Sequence, residues 1–242
     1  MIHDRGEEPV VIAGAAKPKC LPTYLVLDTS DSMKPYTDLL NDSLKFVHRA
    51  AYHDPEISQY AHISIVVFNN EASVALPMSD ISEVDRLPRV ACGGITEYAK
   101  AFDLIRERIE VDVPNLLAAG LQVQRPVVFF MTDGLPTDGM RQGDKNGDER
   151  IWRDAFARLT DESWDRHPHV VAFGFGKARS SVIAAVATLQ AFIAEQAQDQ
   201  AESLRELFSF LVKSLSASAT RGVLQVPEVM DGFRSVELEY MR

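Results

Sequence analysis

Apolar bursts bounded by turn residues recur along the chain, and segments with helical spacing separate them. "TYLVLD" (23–28) reads as a buried strand, because its apolar run is too short for a helix. Leu40, Leu44, Val47 and Ala51 then follow at helical intervals until "HDPE" ends the helix. "HISIVVF" (62–68) and "ASVALP" (72–77) flank "NNE", a hairpin signal that makes these two strands antiparallel. After "ACGGIT", Tyr98, Phe102, Ile105 and Ile109 mark one apolar helix face. "PVVFFMTDG" (126–134) is the most hydrophobic strand candidate and belongs at the centre of a sheet. A helix around Trp152, Phe156 and Leu159, a strand "HVVAFGFG" (169–176) and a helix near Val182–Leu189 come next. A short strand "AFIA" and an amphipathic helix carrying Leu204, Leu207, Phe208 and Leu211 end the pattern.

Strands and helices alternating in this order predict an α/β fold. The expectation is a Rossmann-like, doubly wound, mostly parallel six-stranded sheet with one antiparallel edge strand and helices on both faces. We expect a flexible N-terminal leader at 1–20, a domain at 21–216, and a tail at 217–242. The tail either adds a strand or stays loose, its apolar residues Phe233 and Tyr240 favouring contact with the domain. Ligands of such sheets bind beyond the carboxyl ends of the strands, where the strand order reverses.

Three segments bring oxygen-bearing side chains toward that crevice. In "VLDTSDSM" (26–33) a buried strand runs directly into Asp28, Ser30, Asp31 and Ser32. Thr96 stands in the "GGIT" loop before a helix, and Asp133 ends the central strand. Alternation through Asp28, Ser30 and Ser32 allows three side chains to turn toward one point. Gly93 and Gly94 would let the Thr96 loop approach closely. Few carboxylates mixed with hydroxyls suit a small hard cation: Mg²⁺, with Mn²⁺ or Ca²⁺ as alternatives. Taken alone, the Asp-x-Ser-x-Ser run is also what an Asx turn or a helix cap looks like.

The order and spacing of all three segments resemble the metal-ion-dependent adhesion site of von Willebrand factor A domains, over roughly residues 20–216. The stretches "LPTYLVLDTSDSM", "ISIVVFNNEA", "FFMTDGLPTD" and "LFSFLVKSLSASA" resemble more specifically the TerY-like bacterial branch, associated with tellurite resistance and stress response. The resemblance implies that Ser30 and Ser32 bind the metal directly. It implies that Thr96 binds directly or through water, that Asp28 and Asp133 act mostly through water, and that one position stays open for a partner's oxygen. It further implies a kinase or a metal-dependent phosphatase as partner. Two residues depart from the family pattern, Asp31 between the serines and Glu97 after the threonine. Both place negative charge at the rim, where it should strengthen cation occupancy and make a partner's carboxylate less welcome.

Composition narrows the function classes. With 25 Lys and Arg against 35 Asp and Glu, the net charge of −10 disfavours nucleic acid and anionic membrane as partners. Two cysteines, Cys20 and Cys92, supply neither a disulfide framework nor a thiolate metal site and fit a reduced, cytoplasmic setting. "GDKNGDE" (143–149) lacks the glycine a calcium loop needs, and "GFGKARS" (174–180) lacks the third glycine of a dinucleotide loop, so both read as ordinary turns. The reading is therefore a metal-dependent protein-interaction module and not an enzyme. A Mg²⁺-dependent phosphate-ester hydrolase is the alternative; it lacks an evident general base or phosphate clamp, with Lys34 the only nearby cation by sequence. A purely structural metal is a third reading.

Overall fold

In the computed structural model, residues 17–140, 148–196 and 198–239 are described. The expected leader and the "GDKNGDE" loop lie largely outside them. The chain runs β1 (Lys19–Asp28), α1 (Thr37–His53), α2 (Pro55–Tyr60), β2 (Ala61–Phe68), β3 (Ala72–Asp80) and α3 (Tyr98–Ala118). It continues through β4 (Gln122–Val123), β5 (Val127–Thr132), α4 (Glu149–Leu159), β6 (His169–Gly174), α5 (Ser180–Ala185), β7 (Gln190–Ala194), α6 (Gln200–Arg221) and β8 (Phe233–Val236).

The sheet order is β3-β2-β1-β5-β6-β7-β8, with β4 pairing on β1. β1, β2, β5, β6 and β7 are parallel, while β3 and β8 run antiparallel at the two edges. The sheet thus has eight strands and two antiparallel edges where six strands and one such edge were expected. Both additions are short. β4 covers two residues and β8 four, lengths over which alternation leaves no readable period. "HDPE" also does more than stop α1: the Asp54 carboxylate accepts the N–H groups of Glu56 and Ile57 and Pro55 opens α2, a standard helix start. At the other end α6 continues to Arg221 and closes on Gly222, which takes the left-handed conformation at φ 64°.

β5 shows why the sheet buries both faces. Val127, Phe129 and Met131 point into one apolar layer with Leu40, Leu44 and Val47 of α1 and Leu207, Phe208 and Leu211 of α6. Val128 and Phe130 point into the other, against Tyr98, Phe102 and Ile105 of α3, and Trp152 and Phe156 of α4. Phe130 stacks on Phe68 at 5.2 Å and meets Tyr98 edge-on at 4.9 Å, an arrangement favoured by the ring quadrupoles. Such a strand has no polar face, so it reads as a continuous apolar run.

The chain reverses its direction of progress across the sheet between β1 and β5, and their carboxyl ends carry Asp28 and Asp133. The long segment from β3 to α3, which brings Thr96 to the same end, is clipped to α1 by Asn41. Its side chain donates to Val90 O at 2.9 Å and to Thr37 O at 2.7 Å, and accepts from Val90 N at 2.9 Å. Asn41→Ala would orphan a buried backbone donor and acceptor at once, a cost of roughly 2–4 kcal/mol. Urea unfolding of that variant should show the loss, and Asn41→Asp, which keeps the acceptor only, should fall between it and the unmodified protein.

Candidate metal centre

Local hydrogen bonding folds the first loop. Asp28 is 2% exposed, and its Oδ1 accepts the Ser30 N–H at 2.8 Å, turning the chain so that Ser30 faces inward. A short 3₁₀ helix (Asp31–Tyr36) then presents Ser32, which is exposed, on the solvent side. The Ser32 hydroxyl donates to Asp133 Oδ1 at 2.8 Å and lies 3.1 Å from the Ser30 hydroxyl, giving a chain Ser30–Ser32–Asp133. Thr96, 6% exposed, comes from the other side. A Cβ built on Gly134 would stand 3.7 Å from Thr96 Oγ1 and 3.9 Å from Asp28 Oδ2, so these oxygens converge over Gly134. The five residues Asp28, Ser30, Ser32, Thr96 and Asp133 therefore share one cleft, open past Ser32.

Four loops interlock to hold them. Gly93 N donates to Thr29 O at 2.7 Å and Asp31 N to Gly94 O at 2.8 Å, stitching the Thr96 loop to the Asp28 loop. Asn70 of the hairpin turn accepts Ile95 N at 2.8 Å, and Glu97 N donates to Asn69 O at 3.0 Å. Gly94 is the glycine this crossing needs: it adopts φ +88°, and a Cβ there would lie 1.9 Å from Asn70 Oδ1. At Gly93 a Cβ would meet nothing nearer than 3.5 Å, so close approach does not explain that residue.

Several residues that hold the site went unread in the sequence. Thr132, fully buried, donates to Asp28 Oδ2 at 2.6 Å, and Tyr98 Oη lies 3.2 Å from Thr132 Oγ1 and 3.1 Å from Gly134 O. Thr137 brackets Thr96, accepting its N–H at 3.0 Å and donating to its carbonyl from both the backbone, at 2.8 Å, and the hydroxyl, at 3.0 Å. Asp138, 1% exposed, accepts the first N–H groups of α3 from Tyr98 at 3.1 Å and Ala99 at 2.7 Å. A signal for that cap was present: Glu97 precedes α3 with no side-chain cap of its own, so another segment had to supply one.

The two rim acids are not bare charges. Asp31 is exposed, pairs with Lys34 at 2.7 Å and accepts Gly94 N at 2.9 Å, and the lysine holds its carboxyl below the usual range. Glu97 lies 3.9 Å from Lys100, and burial raises its pKa, with Asp138 adding to the rise. The fold also brings a cation that the sequence did not place here. Lys177 donates its backbone N–H to Asp133 O at 2.7 Å, and its charge acts on the Asp133 carboxyl.

The donor set fits a divalent cation on one observation above all. Asp133 Oδ2 is buried and has no hydrogen-bond partner among the described residues, although a buried carboxylate oxygen is costly to leave unsatisfied. Two carboxylates with three hydroxyls match a hard ion. Cys92 offers no thiolate alternative, since burial pushes its pKa up. "GFGKARS" is a strand-to-helix turn between β6 and α5.

No protein-family model and no curated protein matches the chain, but solved structures do. A von Willebrand factor type A protein from Catenulispora acidiphila is 15% identical with TM-score 0.55, over 81% of this chain and 43% of that one. The chain has the von Willebrand factor A fold. Proximal thread matrix protein 1 from the mussel byssus, solved with a zinc-occupied MIDAS motif, is 18% identical with TM-score 0.55 over 83% of this chain and 48% of that one. The pilus adhesin SpaC from Lactobacillus rhamnosus GG is 11% identical with TM-score 0.60 over 81% of this chain and 30% of that one. The chain spans about half or less of the length of each of these proteins. In this chain Asp28 ends β1 and Asp133 follows β5, at the carboxyl ends of the two strands.

Burial sets the acid–base behaviour of the cleft. Burial pushes Asp28 from 3.8 up to about 6 against the opposing hydrogen bonds from Ser30 and Thr132, and burial likewise raises Asp133 and Asp138. A carboxyl whose folded pKa exceeds its unfolded value leaves the fold most stable below the unfolded value, and that stability is lost as pH rises through the folded one. In a metal chelator, stability should fall between about pH 4 and pH 7, with Asp28 contributing about 3 kcal/mol of the fall. Urea unfolding across this window checks it, because Asp28→Asn should flatten the profile by that amount.

Proposed function

We propose that the chain is a metal-dependent protein-interaction module of Mg²⁺ type, which binds a partner through an open coordination position at Ser32's side of the cleft. The observation that carries this reading is the orphaned, buried Asp133 Oδ2, on the carboxylate whose other oxygen, Oδ1, ends the Ser30–Ser32 hydroxyl chain. Ser30, Ser32 and Thr96 would hold the ion with their hydroxyls, and Asp28 and Asp133 would neutralise it and orient those hydroxyls. The bound ion supplies an electrophilic point for an oxygen of the partner. The chain's own residues do the rest: Thr132 fixes the Asp28 carboxylate, Thr137 fixes the Thr96 loop, and Asp138 anchors that loop to α3.

The zinc-occupied MIDAS motif of the mussel protein supports a divalent ion in this fold. The bacterial stress or signalling setting, the kinase or metal-dependent phosphatase partner and the cytoplasmic location belong to the proposal on the strength of the TerY-like resemblance. No helix among the described residues is long and apolar enough to cross a membrane. The hydrolase reading gains one point, because Lys177 adds a cation near the cleft beside Lys34. The Ser32 hydroxyl does donate to the Asp133 carboxylate, but these are the same oxygens that would hold the ion in the interaction-module reading, so that contact does not favour the hydrolase.

A divalent ion at a hundred times its Kd should stabilise the fold by about 2.7 kcal/mol, raising Tm by roughly 5–10 °C. Asp133→Ala should abolish that shift. Pull-down from a bacterial lysate in Mg²⁺ but not in chelator, lost in the same variant, supports the interaction module, whereas metal-dependent turnover of a generic phosphate ester supports the hydrolase. A thermal shift with neither behaviour leaves a structural ion.

At the rim, Asp31 and Glu97 remain charges that favour the cation, reduced by the lysines beside them. Asp31→Gly and Glu97→Ala should each weaken Mg²⁺ binding several-fold in titration calorimetry. Unchanged affinity in both would remove these acids from the account of the site.

A further inference from the structure

Next to the cleft, at the carboxyl ends of β6 and β7, lies a cavity of about 960 Å³. That volume is at the upper end of ordinary ligand pockets. Its wall begins at the metal centre, since Lys177 lines the cavity and donates its backbone N–H to the Asp133 carbonyl. Among the described residues three cations line it, Lys177, Arg179 and Arg234, against one acid, Glu195. The adjoining groove, which shares Glu195 and Gln198, is acidic through Glu202, Glu206 and Asp231, so the positive charge is confined to this side. Among the described residues none of the three cations forms a salt bridge. The groove beside His48 is also basic, but there Lys45 is paired with Asp42 and Arg89 with Asp38, which leaves Arg49 and Arg86 outside the salt bridges of the described residues, and Asp85 lines the same wall. In a chain of net charge −10, three unpaired cations converging on one concave surface next to a metal centre constitute a local reversal of sign.

The same cavity offers more than charge. Gln196 and Gln200 line it with amide groups and Ser180 with a hydroxyl. These are partners suited to a peptide backbone, which a free phosphate or carboxylate ion lacks. Together these groups favour an acidic peptide over a small anion.

We propose that this cavity is the second half of the partner site: it receives an acidic flank of the same peptide whose leading carboxylate reaches the metal. The proposal rests on the interaction-module reading. An extended peptide spaces side chains two residues apart by about 7 Å. One Asp at the cleft and further acids two and four residues on would therefore run from the metal centre along the cavity wall. Lys177, Arg179 and Arg234 meet the flank, and the amides of Gln196 and Gln200 meet its backbone. The acidic rim at Asp31 and Glu97 works against a carboxylate on the far side of the cleft, so the basic cavity also sets the direction in which the peptide lies.

Two short fluorescein-labelled peptides test this, each with one leading Asp, followed at alternate positions by Asp in one and by Asn in the other. Fluorescence anisotropy in Mg²⁺ should show the acidic-flank peptide, with Asp two and four residues after the first, binding roughly fivefold tighter, as two solvent-exposed ion pairs would give. The triple variant Lys177→Gln, Arg179→Gln, Arg234→Gln should bring the two peptides within about twofold, while the Mg²⁺-induced rise in Tm persists. Equal affinities for the unmodified protein, or an advantage that survives the triple variant, would overturn the cavity proposal and leave the metal reading standing. Loss of the advantage in the triple variant together with unchanged binding in chelator would keep the cavity as an acidic-peptide site and overturn its link to the metal. Absence of any Mg²⁺-induced Tm shift would identify the metal reading as the part that failed.

Discussion

Two carboxyl groups, Asp28 and Asp133, end neighbouring parallel strands and are almost wholly buried there, at 2% and 1% exposure. Everything around the cleft answers that constraint. Charged carboxylates so deep in protein are expensive unless hydrogen bonds or a cation compensate them. Asp28 is compensated from within, by Ser30 N–H on one oxygen and Thr132 on the other. Asp133 is compensated on one oxygen only, by Ser32. The asymmetry distinguishes the two acids: hydrogen bonds hold both oxygens of Asp28, whereas Asp133 keeps one buried oxygen without a partner among the described residues.

The loops carry a second constraint, that oxygen-bearing side chains on three separate segments must hold position without a strand to pair with. The protein meets it by using each loop as another's hydrogen-bond partner. Thr29 and Asp31 take up Gly93 and Gly94, Asn69 and Asn70 take up Glu97 and Ile95, and Thr137 takes up Thr96. Asp138 then ties the whole to the start of α3, where its two accepted bonds satisfy N–H groups that α3 cannot satisfy itself. This bracing differs from metal ligation, and it changes the meaning of Asp31. Its carboxylate serves both Lys34 and the Gly94 N–H, so it acts as a loop clamp as well as a rim charge.

What the sequence made legible was whatever repeats or alternates over several residues. The buried strands, the hairpin at Asn69–Asn70 and the helices on both faces stood in the apolar pattern, and so did the central place of "VVFFMT". The five oxygen-bearing residues at the carboxyl end were readable because strand ends and a switch point tell where side chains gather. β4 was not readable, and β8 only as one alternative for the tail, because both are too short to show a period. Nor was the role of "HDPE" in starting α2, since a proline both ends one helix and opens the next. Thr132, Thr137 and Asp138 escaped for a different reason: their work is pairwise and long-range in sequence, and a lone threonine or aspartate has no pattern of its own.

Lys177 belongs to that last group and has the widest consequence. Read along the chain, it is a surface lysine in a turn; read in space, it joins the Asp133 loop to a basic cavity. At physiological salt the charges of this strongly acidic chain act over about 8 Å. A partner approaching the carboxyl end of the sheet therefore responds to the charges it is about to touch, more than to the net −10. Those charges form a gradient. On one side acids stand paired with Lys34 and Lys100, and on the other cations stand unpaired among the described residues. On the reading proposed above, a cation at the centre would attract any oxygen and so set affinity without choosing among ligands. The gradient across the cleft would then give the site a preferred orientation, and with it a means of choosing one acidic segment over another.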